Sequence, residues 1–323
     1  MMRRFLLAVT LFAACNSAAH AEWLAREEAI MGTRIAVDVW HEEPAAATAA
    51  IDAVIAEMHR IDALMSVYKP ESRLSEVNRE AATRPVKVEP ELARLIARAL
   101  EFSGMSDGAF DITYASVGYL YDYRARIHPT DTEIQAALPA IDWRHVVVDL
   151  DASTVSFTQP GVRIDLGGIA KGHAVDSGIA ILEAHGITNG TVTAGGDSRV
   201  LGDRRGRPWV IGIRHPDDRN QVIARIPLED AAISTSGDYE RFFDEDGVRY
   251  HHIIDPKTGK SPHGVRSVTV IAPTSTLAEG LTKSVFIMGP ERGLALVEKQ
   301  PDCDAVVVTA EGKVLYSKGM TAP

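Results

Sequence analysis

Residues 163–176, RIDLGGIAKGHAVD, join a strand-like segment to a helical one through Gly167 and Gly168. Two glycines at such a turn let the backbone approach a ligand closely, and the first helical turn offers free N–H groups to a phosphate. Lys171 lies in that first turn, where the positive end of the helix dipole disfavours a positive charge. A bound phosphate would remove this conflict. The alternative is a tight turn that carries a solvent-facing lysine.

Helical and strand-like segments are interspersed around this turn without regular β-α-β spacing, and neither repeats nor linkers divide the chain. This pattern predicts an α+β fold with largely antiparallel sheets, in one domain over residues 22–323. Helices are expected over 45–65, 89–103, 169–185, 275–288 and 290–299. Strands are expected over 26–40 (interrupted by Met31-Gly32-Thr33), 145–164 (two short strands), 190–194, 208–214, 221–228, 265–272 and 304–309.

The N-terminus has the pattern of an export signal. Arg3 and Arg4 precede the apolar run 5–14, and Ala19-His20-Ala21 follows it. The run is too short for a permanent membrane span. We therefore expect cleavage after residue 21 and a periplasmic protein. Lipid attachment at Cys15 is the alternative, because FAAC loosely resembles a lipobox.

Charge and cysteine content exclude some classes of function. Removing residues 1–21 takes Arg3 and Arg4 from the 34 basic residues and leaves all 44 acidic ones, a net charge of −12. That balance does not favour nucleic acid or an anionic membrane surface. Cys303 would be the remaining cysteine, so no internal disulfide is possible, and it is expected at the edge of the core. No later apolar run is long enough for a transmembrane span.

Two further stretches carry residues suited to chemistry. Residues 236–262 contain the pair His251-His252, and a histidine near neutral pKa can take a proton from a hydroxyl group. Surface histidines on a hairpin are the alternative, and no spacing supports a zinc site. The stretch GAFDIT, residues 108–113, follows a polar turn with Tyr68 and Asn78. These side chains could bind a base, although turn chemistry explains them as well.

The helix over 275–288 carries Glu279, Thr282 and Lys283 on one face, because positions three and four apart are neighbours. Thr274 or Ser275 caps it, and Gly289-Pro290 ends it. Glu and Thr supply oxygen ligands of the kind that hard cations prefer. The alternative is a solvated surface pair of Glu279 and Lys283.

The order and spacing of these stretches, from Met31-Gly32-Thr33 to Gly289, resemble the ApbE family, the FAD:protein FMN transferases. The matching segments are MSVYKPESRLSEVN, GAFDIT, DLGGIAKGHAVD, TAGGD, ISTSGDYERFF, HHIIDPKTG and the helix at 275–288. The resemblance implies a T-fold-like α+β fold and an exported enzyme with FAD as substrate. The FMN half would pass to a Thr or Ser hydroxyl of a target protein, with release of AMP and assistance from Mg²⁺. Such targets are exported or membrane redox proteins with a Ser/Gly-Ala-Thr motif.

The resemblance also assigns roles to individual residues. His252 would be the general base, with His251 as the less favoured neighbour, and Lys171 would lie near the diphosphate. Asn78 would bias the reaction towards transfer and against FAD hydrolysis. The FAD site would comprise Met31, Tyr68, Asn78, Ala109, Phe110, Asp111, Asp165, Lys171 and Ile253. The metal would be bound by the Gly168 carbonyl, Glu279 and Thr282, with Lys283 at a family metal position.

The chain departs from the family pattern at this last position. The family usually has Asp and, four residues later, Thr as magnesium ligands, whereas this chain has Glu279 and Lys283. Either the metal binds through Glu279, Thr282 and Gly168 while Lys283 points away, or Lys283 pairs with Glu279 and partly replaces the ion. The alternative functions are an FAD pyrophosphatase that forms FMN and AMP, and an exported FAD-binding protein without turnover.

Overall fold

The computed structural model describes residues 22–218 and 220–320 of the 323-residue chain. The export signal predicted over residues 1–21 and the alternative lipid site at Cys15 lie outside the described residues. The helices of the described part are α1 (Pro44–Met65), α2 (Arg73–Glu80), α3 (Pro90–Met105), α4 (Ala115–Gly118), α5 (Asp131–Ala137), α6 (Ala170–Ala184), α7 (Ser275–Met288) and α8 (Pro290–Val297). None of these helices combines the length and the hydropathy that crossing a bilayer requires.

The strands are β1 (Glu22–Ile30), β2 (Thr33–His41), β3 (Val86–Lys87), β4 (Val146–Asp149), β5 (Thr154–Phe157), β6 (Asn189–Ala194), β7 (Asp197–Leu201), β8 (Trp209–Arg214), β9 (Val222–Leu228), β10 (Ala232–Gly237), β11 (Phe242–Glu245), β12 (Val248–His251), β13 (Val265–Ala272), β14 (Asp304–Thr309) and β15 (Val314–Tyr316). Eight of them form one sheet in the order β1-β2-β6-β7-β10-β13-β14-β15. Every neighbouring pair in it is antiparallel. The predicted α+β class with largely antiparallel sheets is therefore confirmed.

The predicted strand over 26–40 is a hairpin of two strands. Ile30 pairs with Thr33, and the two residues between them, Met31 and Gly32, have φ of 55° and 68°. Positive φ at both positions of a two-residue loop matches the right-handed twist of the paired strands. The sequence pattern thus located the interruption correctly, but it did not predict that the chain reverses direction there.

A layer of helices covers one face of the large sheet. Helix α1 packs on β1 and β2, α6 on β6 and β7, α7 on β10 and β13, and α8 on β14. Their apolar residues and those of the sheet form one continuous core. The opposite face is covered by the β8–β9 hairpin, whose side chains pack with Val200, Ile233 and Val306. A small sheet in the order β3-β5-β4 lies outside the main one.

Helices α6 and α7 meet at their N-terminal ends. A Cβ on Gly172 would lie 2.5 Å from the carbonyl oxygen of Ser275, so the absence of a side chain permits the contact. The carboxylate of Asp176 accepts hydrogen bonds from the backbone N–H groups of Ser275 and Thr276, both at 2.9 Å. The start of α7 is therefore fixed against α6, and this junction positions the residues described next.

Candidate functional site

A cleft opens beside the junction of α6 and α7. Its walls come from the loop that follows α3, the turn before α6, the segment that follows β12, and α7. The cleft brings together eight residues that the sequence had singled out. These are Ala109, Phe110, Asp111, Asp165, Gly168, His252, Ile253 and Lys283.

The carboxylate of Asp111 is engaged in holding its own loop. It accepts hydrogen bonds from the N–H of Thr113 at 2.8 Å, from the Thr113 hydroxyl at 2.6 Å and from the N–H of Trp143 at 2.8 Å. Burial raises the pKa of Asp111, although these hydrogen bonds oppose the effect. Asp111 therefore lines the cleft while it shapes the wall.

The turn before α6 is held from two sides. The Asp165 carboxylate accepts a hydrogen bond from the N–H of Gly167 at 2.6 Å, and burial raises the pKa of Asp165. The Asn78 side chain accepts from the N–H of Ile164 at 2.8 Å and donates to its carbonyl at 2.9 Å. The Asn78 amide is thus committed to backbone 86 residues away in sequence. It supports the turn and is not among the residues that line the cleft, and its place in the FAD site stays a prediction.

The two adjacent histidines have different surroundings. His252 lines the cleft, and burial lowers its pKa to about 3, with further lowering by Lys283 and Arg241. Nδ1 of His252 is buried without a hydrogen-bond partner among the described residues. The imidazole of His251 instead contacts the Pro262 carbonyl through Nε2 at 3.0 Å and packs edge-on against Phe286. Of the pair, His252 is the one that a ligand in the cleft would meet.

Lys171 is not free to meet a phosphate in this arrangement. Its ammonium lies 2.9 Å from Oδ2 of Asp197 and donates to Oε1 of Glu279. Burial alone would lower the pKa of Lys171, but the two carboxylates outweigh burial and raise it. The unfavourable position at the helix N-terminus is therefore offset by two carboxylates, and not by a solvent-facing orientation.

Glu279 is completely buried, so the solvated surface pair with Lys283 is excluded. Its Oε2 accepts a hydrogen bond from the N–H of Gly172 at 2.8 Å. Burial raises the pKa of Glu279, as does Asp197, while the ammonium groups of Lys171 and Lys283 oppose the rise. Glu279 thus joins α7 to the first turn of α6 and is neutralised by lysines on both helices.

Thr282 and Lys283 are joined through Ser236 of β10. The Lys283 ammonium donates to Oγ of Ser236 at 2.8 Å, and that hydroxyl donates to Oγ1 of Thr282 at 2.8 Å. Thr282 donates in turn to the carbonyl of Glu279 at 2.8 Å. Nζ of Lys283 also lies 3.8 Å from Oε1 of Glu279. Burial lowers the pKa of Lys283, and Glu279 opposes that effect.

These donors do not fit the magnesium ion that the resemblance implies. Magnesium requires oxygen ligands in near-ideal octahedral geometry at about 2.0–2.1 Å. Both oxygens of Glu279 already accept hydrogen bonds, the Thr282 hydroxyl is directed at its own helix, and the Lys283 ammonium lies 3.8 Å from the Glu279 carboxylate, where it would repel a cation. Residues 22–218 and 220–320 contain no cluster of three or more His, Cys, Asp or Glu side chains suited to a metal.

Some participants were missed from the sequence. Asp197, Ser234 and Ser236 lie on the sheet beneath α6 and α7, and the Ser234 hydroxyl donates to Asp197. The stretch ISTSG carried the signal, because Ser234 and Ser236 are two apart and so share one face of a strand. Arg241 was missed as well. Its guanidinium donates to the carbonyl of Gly32 at 3.1 Å.

The remaining predicted residues lie outside the cleft lining. Met31 forms the hairpin turn that Arg241 reaches. Tyr68 is 82% exposed, and its pKa is raised by partial burial of the hydroxyl group and by the charge of Asp165. An exposed ring near Asp165 is available to a ligand that extends beyond the cleft.

Known proteins resemble this chain along most of its length. The model of the ApbE family matches residues 31–307. The FAD:protein FMN transferase of Treponema pallidum is 35% identical over 95% of this chain and 90% of its own length. The corresponding transferase of Vibrio cholerae is 35% identical over 82% of this chain and 81% of its own length.

Solved structures agree with these sequence matches. The ApbE protein of Thermotoga maritima superposes with a TM-score of 0.85 at 34% identity, over 92% of this chain and 98% of that one. The flavin transferase ApbE of Vibrio cholerae gives a TM-score of 0.83 at 32% identity, with the same coverage. Family model, relatives and fold lead to one assignment, and the chain belongs to the ApbE family.

Proposed function

We propose that the protein transfers the FMN moiety of FAD to a Thr or Ser hydroxyl of a target protein and releases AMP. The observation that carries this function is the cleft in which His252 and Lys283 face the Gly167-Gly168 turn. Family membership supports the proposal, because the relatives are named FAD:protein FMN transferases.

In this proposal, FAD lies along the cleft with its diphosphate near the N-terminal end of α6. Apolar side chains such as Phe110 and Ile253 would contact the flavin or the adenine. Tyr68 would stack from the exposed side. Glycines at the turn leave room for the diphosphate, because the backbone offers no Cβ there.

His252 would accept the proton of the acceptor hydroxyl. A hydroxyl is a weak nucleophile and benefits from a base within hydrogen-bond reach. The low pKa of His252 keeps the imidazole neutral at physiological pH in the FAD-free protein, so a ring nitrogen can accept a hydrogen bond from the acceptor hydroxyl. The negative charge of a bound diphosphate would then raise this pKa and favour proton uptake. Attack on a diphosphate otherwise requires alignment and charge stabilisation more than covalent help from the protein.

Lys171 would act indirectly in this reaction. Because Asp197 and Glu279 hold its ammonium, Lys171 offsets part of the negative charge of two buried carboxylates that would otherwise repel a diphosphate more strongly. The magnesium ion implied by the resemblance has no step in this proposal, since the side chains at its expected position do not fit it.

The acceptor is proposed to be an exported or membrane redox protein with a Ser/Gly-Ala-Thr motif. Export by residues 1–21 to the periplasm belongs to the same proposal, with lipid attachment at Cys15 as its alternative. Both rest on the resemblance and on the pattern of basic, apolar and small residues at the N-terminus.

The proposal is tested by incubating the protein with FAD and an acceptor that carries the motif, and by following AMP release and the intact mass of the acceptor. Transfer predicts equal amounts of AMP and FMN-modified acceptor. AMP with unmodified acceptor would make the protein an FAD pyrophosphatase. Bound FAD without AMP would make it an FAD-binding protein without turnover.

A further inference from the structure

Four buried or nearly buried charges form a balanced cluster between the sheet and the helices. Lys171 and Lys283 supply two ammonium groups, and Asp197 and Glu279 supply two carboxylates. Removing charges from water is costly unless they compensate one another. The cluster is therefore already neutral without a metal ion, so its two carboxylates leave no uncompensated negative charge to attract a cation.

The two lysines differ in how many acceptors their ammonium groups already contact. The Lys171 ammonium contacts both carboxylates and also lies 3.4 Å from the Gly167 carbonyl oxygen. The Lys283 ammonium has one acceptor within hydrogen-bonding distance in the described part of the chain, the Ser236 hydroxyl. An ammonium carries three N–H donors. Lys283 therefore keeps donors for a ligand, whereas Lys171 does not.

The path of the Lys283 side chain leads its charge to the cleft. Its Cγ lies 3.6 Å from the position that a Cβ on Gly168 would take, so the stem runs along the turn before α6. The side chain retains 16% exposure, and Lys283 lines the cleft together with Gly168 and His252. A phosphate oxygen at the turn would thus meet a positive charge that the protein itself supplies.

We propose that the Lys283 ammonium takes the place of a divalent cation at the diphosphate of FAD, so that the protein works without a metal ion. This inference rests on the proposed function. The acceptor oxygen forms a bond to the FMN phosphorus, and the bond from that phosphorus to the bridging oxygen breaks. The bridging oxygen leaves with AMP and keeps the electron pair, while the acceptor proton passes to His252. Lys283 donates a hydrogen bond as negative charge grows on the diphosphate oxygens.

The test measures FAD affinity and FMN transfer in strong chelator and in excess Mg²⁺. The wild-type protein is expected to give the same values in both. Lys283→Thr removes the charge and places a hydroxyl four residues after Glu279. Its FAD affinity and its transfer rate in chelator should fall about 10- to 100-fold, the size of one charge-assisted hydrogen bond, and should recover with Mg²⁺.

Two variants serve as controls. Lys283→Arg keeps the positive charge and should keep activity in chelator. Lys299→Thr makes the same substitution at an exposed position two residues after the end of α8 and should behave as wild type. Circular dichroism and thermal melting establish that each variant is folded before it is compared.

Dependence of the wild-type protein on Mg²⁺, or unchanged FAD affinity of Lys283→Thr in chelator, would overturn the inference. Failure of the proposed function is a separate outcome. If the wild-type protein modifies no acceptor under either condition, transfer is refuted, and the affinity of FAD in chelator still decides the role of Lys283.

Discussion

At the scale of single residues, the structure separates His252 from its neighbour by their surroundings. The sequence offered two adjacent histidines, and only the resemblance favoured the second. In the structure His252 borders the cleft, whereas His251 contacts the Pro262 carbonyl behind it. Alternation along β12 accounts for this, because successive side chains at the end of a strand point to opposite faces.

Replacing His252 by alanine should slow transfer strongly while FAD still binds. Loss of a general base costs about 10²- to 10⁴-fold in rate. The measurement is acceptor modification under single-turnover conditions, with FAD affinity determined in parallel by fluorescence quenching. His263→Ala, an exposed histidine on the same segment, is the matched control and should transfer normally. A variant His252→Ala with wild-type transfer would remove His252 as the base.

The low pKa of His252 predicts an imidazole that stays neutral under mildly acidic conditions. A histidine with an ordinary pKa near 6.5 gains a proton as pH falls from 7 to 5, whereas one with a pKa of about 3 does not. We expect the ring signals of His252 in nuclear magnetic resonance spectra of the FAD-free protein to stay unchanged over this range. Their assignment comes from His252→Gln. A titration midpoint near 6.5 would contradict the buried environment.

For Lys171, the local sequence predicted an electrostatic conflict but not the groups that relieve it. The sequence correctly indicated an unfavourable positive charge in the first turn of α6. It did not indicate the partners, because Asp197 and Glu279 lie 26 and 108 residues further along the chain. Either a bound phosphate or a pair of carboxylates would stabilise the positive charge of Lys171 at the helix N-terminus. Only the tertiary structure shows that carboxylates are present.

At the scale of elements, the account depends on how closely α6 approaches α7. Gly172 allows this approach, and its N–H binds the carboxylate of Glu279. The resemblance gave Gly172 no role, yet it lies where the two helices touch. A shift of α7 here would move Glu279 and Lys283 together.

Gly172→Ala should destabilise the protein and impair FAD binding. The added Cβ would meet backbone atoms of Ser275 at 2.5 Å, and overpacking of this kind costs about 1–3 kcal/mol. Gly104→Ala near the end of α3 is the control, because no atom lies within 4 Å of its added Cβ. That change should be neutral or stabilise by up to about 1 kcal/mol. Denaturant unfolding measures both, and equal stability of the two variants would refute the tight junction.

Element prediction succeeded for the long helices, whose apolar residues recur over several turns. The long helices α1, α3, α6 and α7 lie close to their predicted ranges. Helix α2 was missed within a stretch interpreted as a polar turn. Its buried residues are only Leu74, Ser75 and Val77, too few for a clear apolar stripe, and the Ser72 side chain caps it. Short helices of this kind are stabilised by tertiary contacts more than by local preference.

At the scale of the whole molecule, the sheet order could not be derived from the sequence. Strand β2 pairs with β6, and β10 pairs with both β7 and β13. Such pairings join segments far apart in sequence, while periodicity reports only which face of each strand is buried. The resemblance supplied the fold class, and the structure supplied the register that places Ser236 beneath Lys283.

The continuous core predicts that the chain unfolds as one unit. Apolar residues of β1, β2 and α1 share a single cluster with those of α6, α7 and β14. Calorimetry should therefore show one transition, and FAD should raise its midpoint, because ligands that bind only the native state stabilise it. Two separate transitions, of which only one responds to FAD, would contradict the single domain predicted for residues 22–323.

The most direct test of the central claim is the intact mass of an acceptor protein after incubation with FAD and this protein. We predict that an acceptor with the motif gains the mass of one FMN phosphoester, and that the same acceptor with alanine in place of the motif hydroxyl gains none. An unmodified acceptor in the presence of released AMP, or equal modification of the alanine form, would contradict hydroxyl-directed FMN transfer.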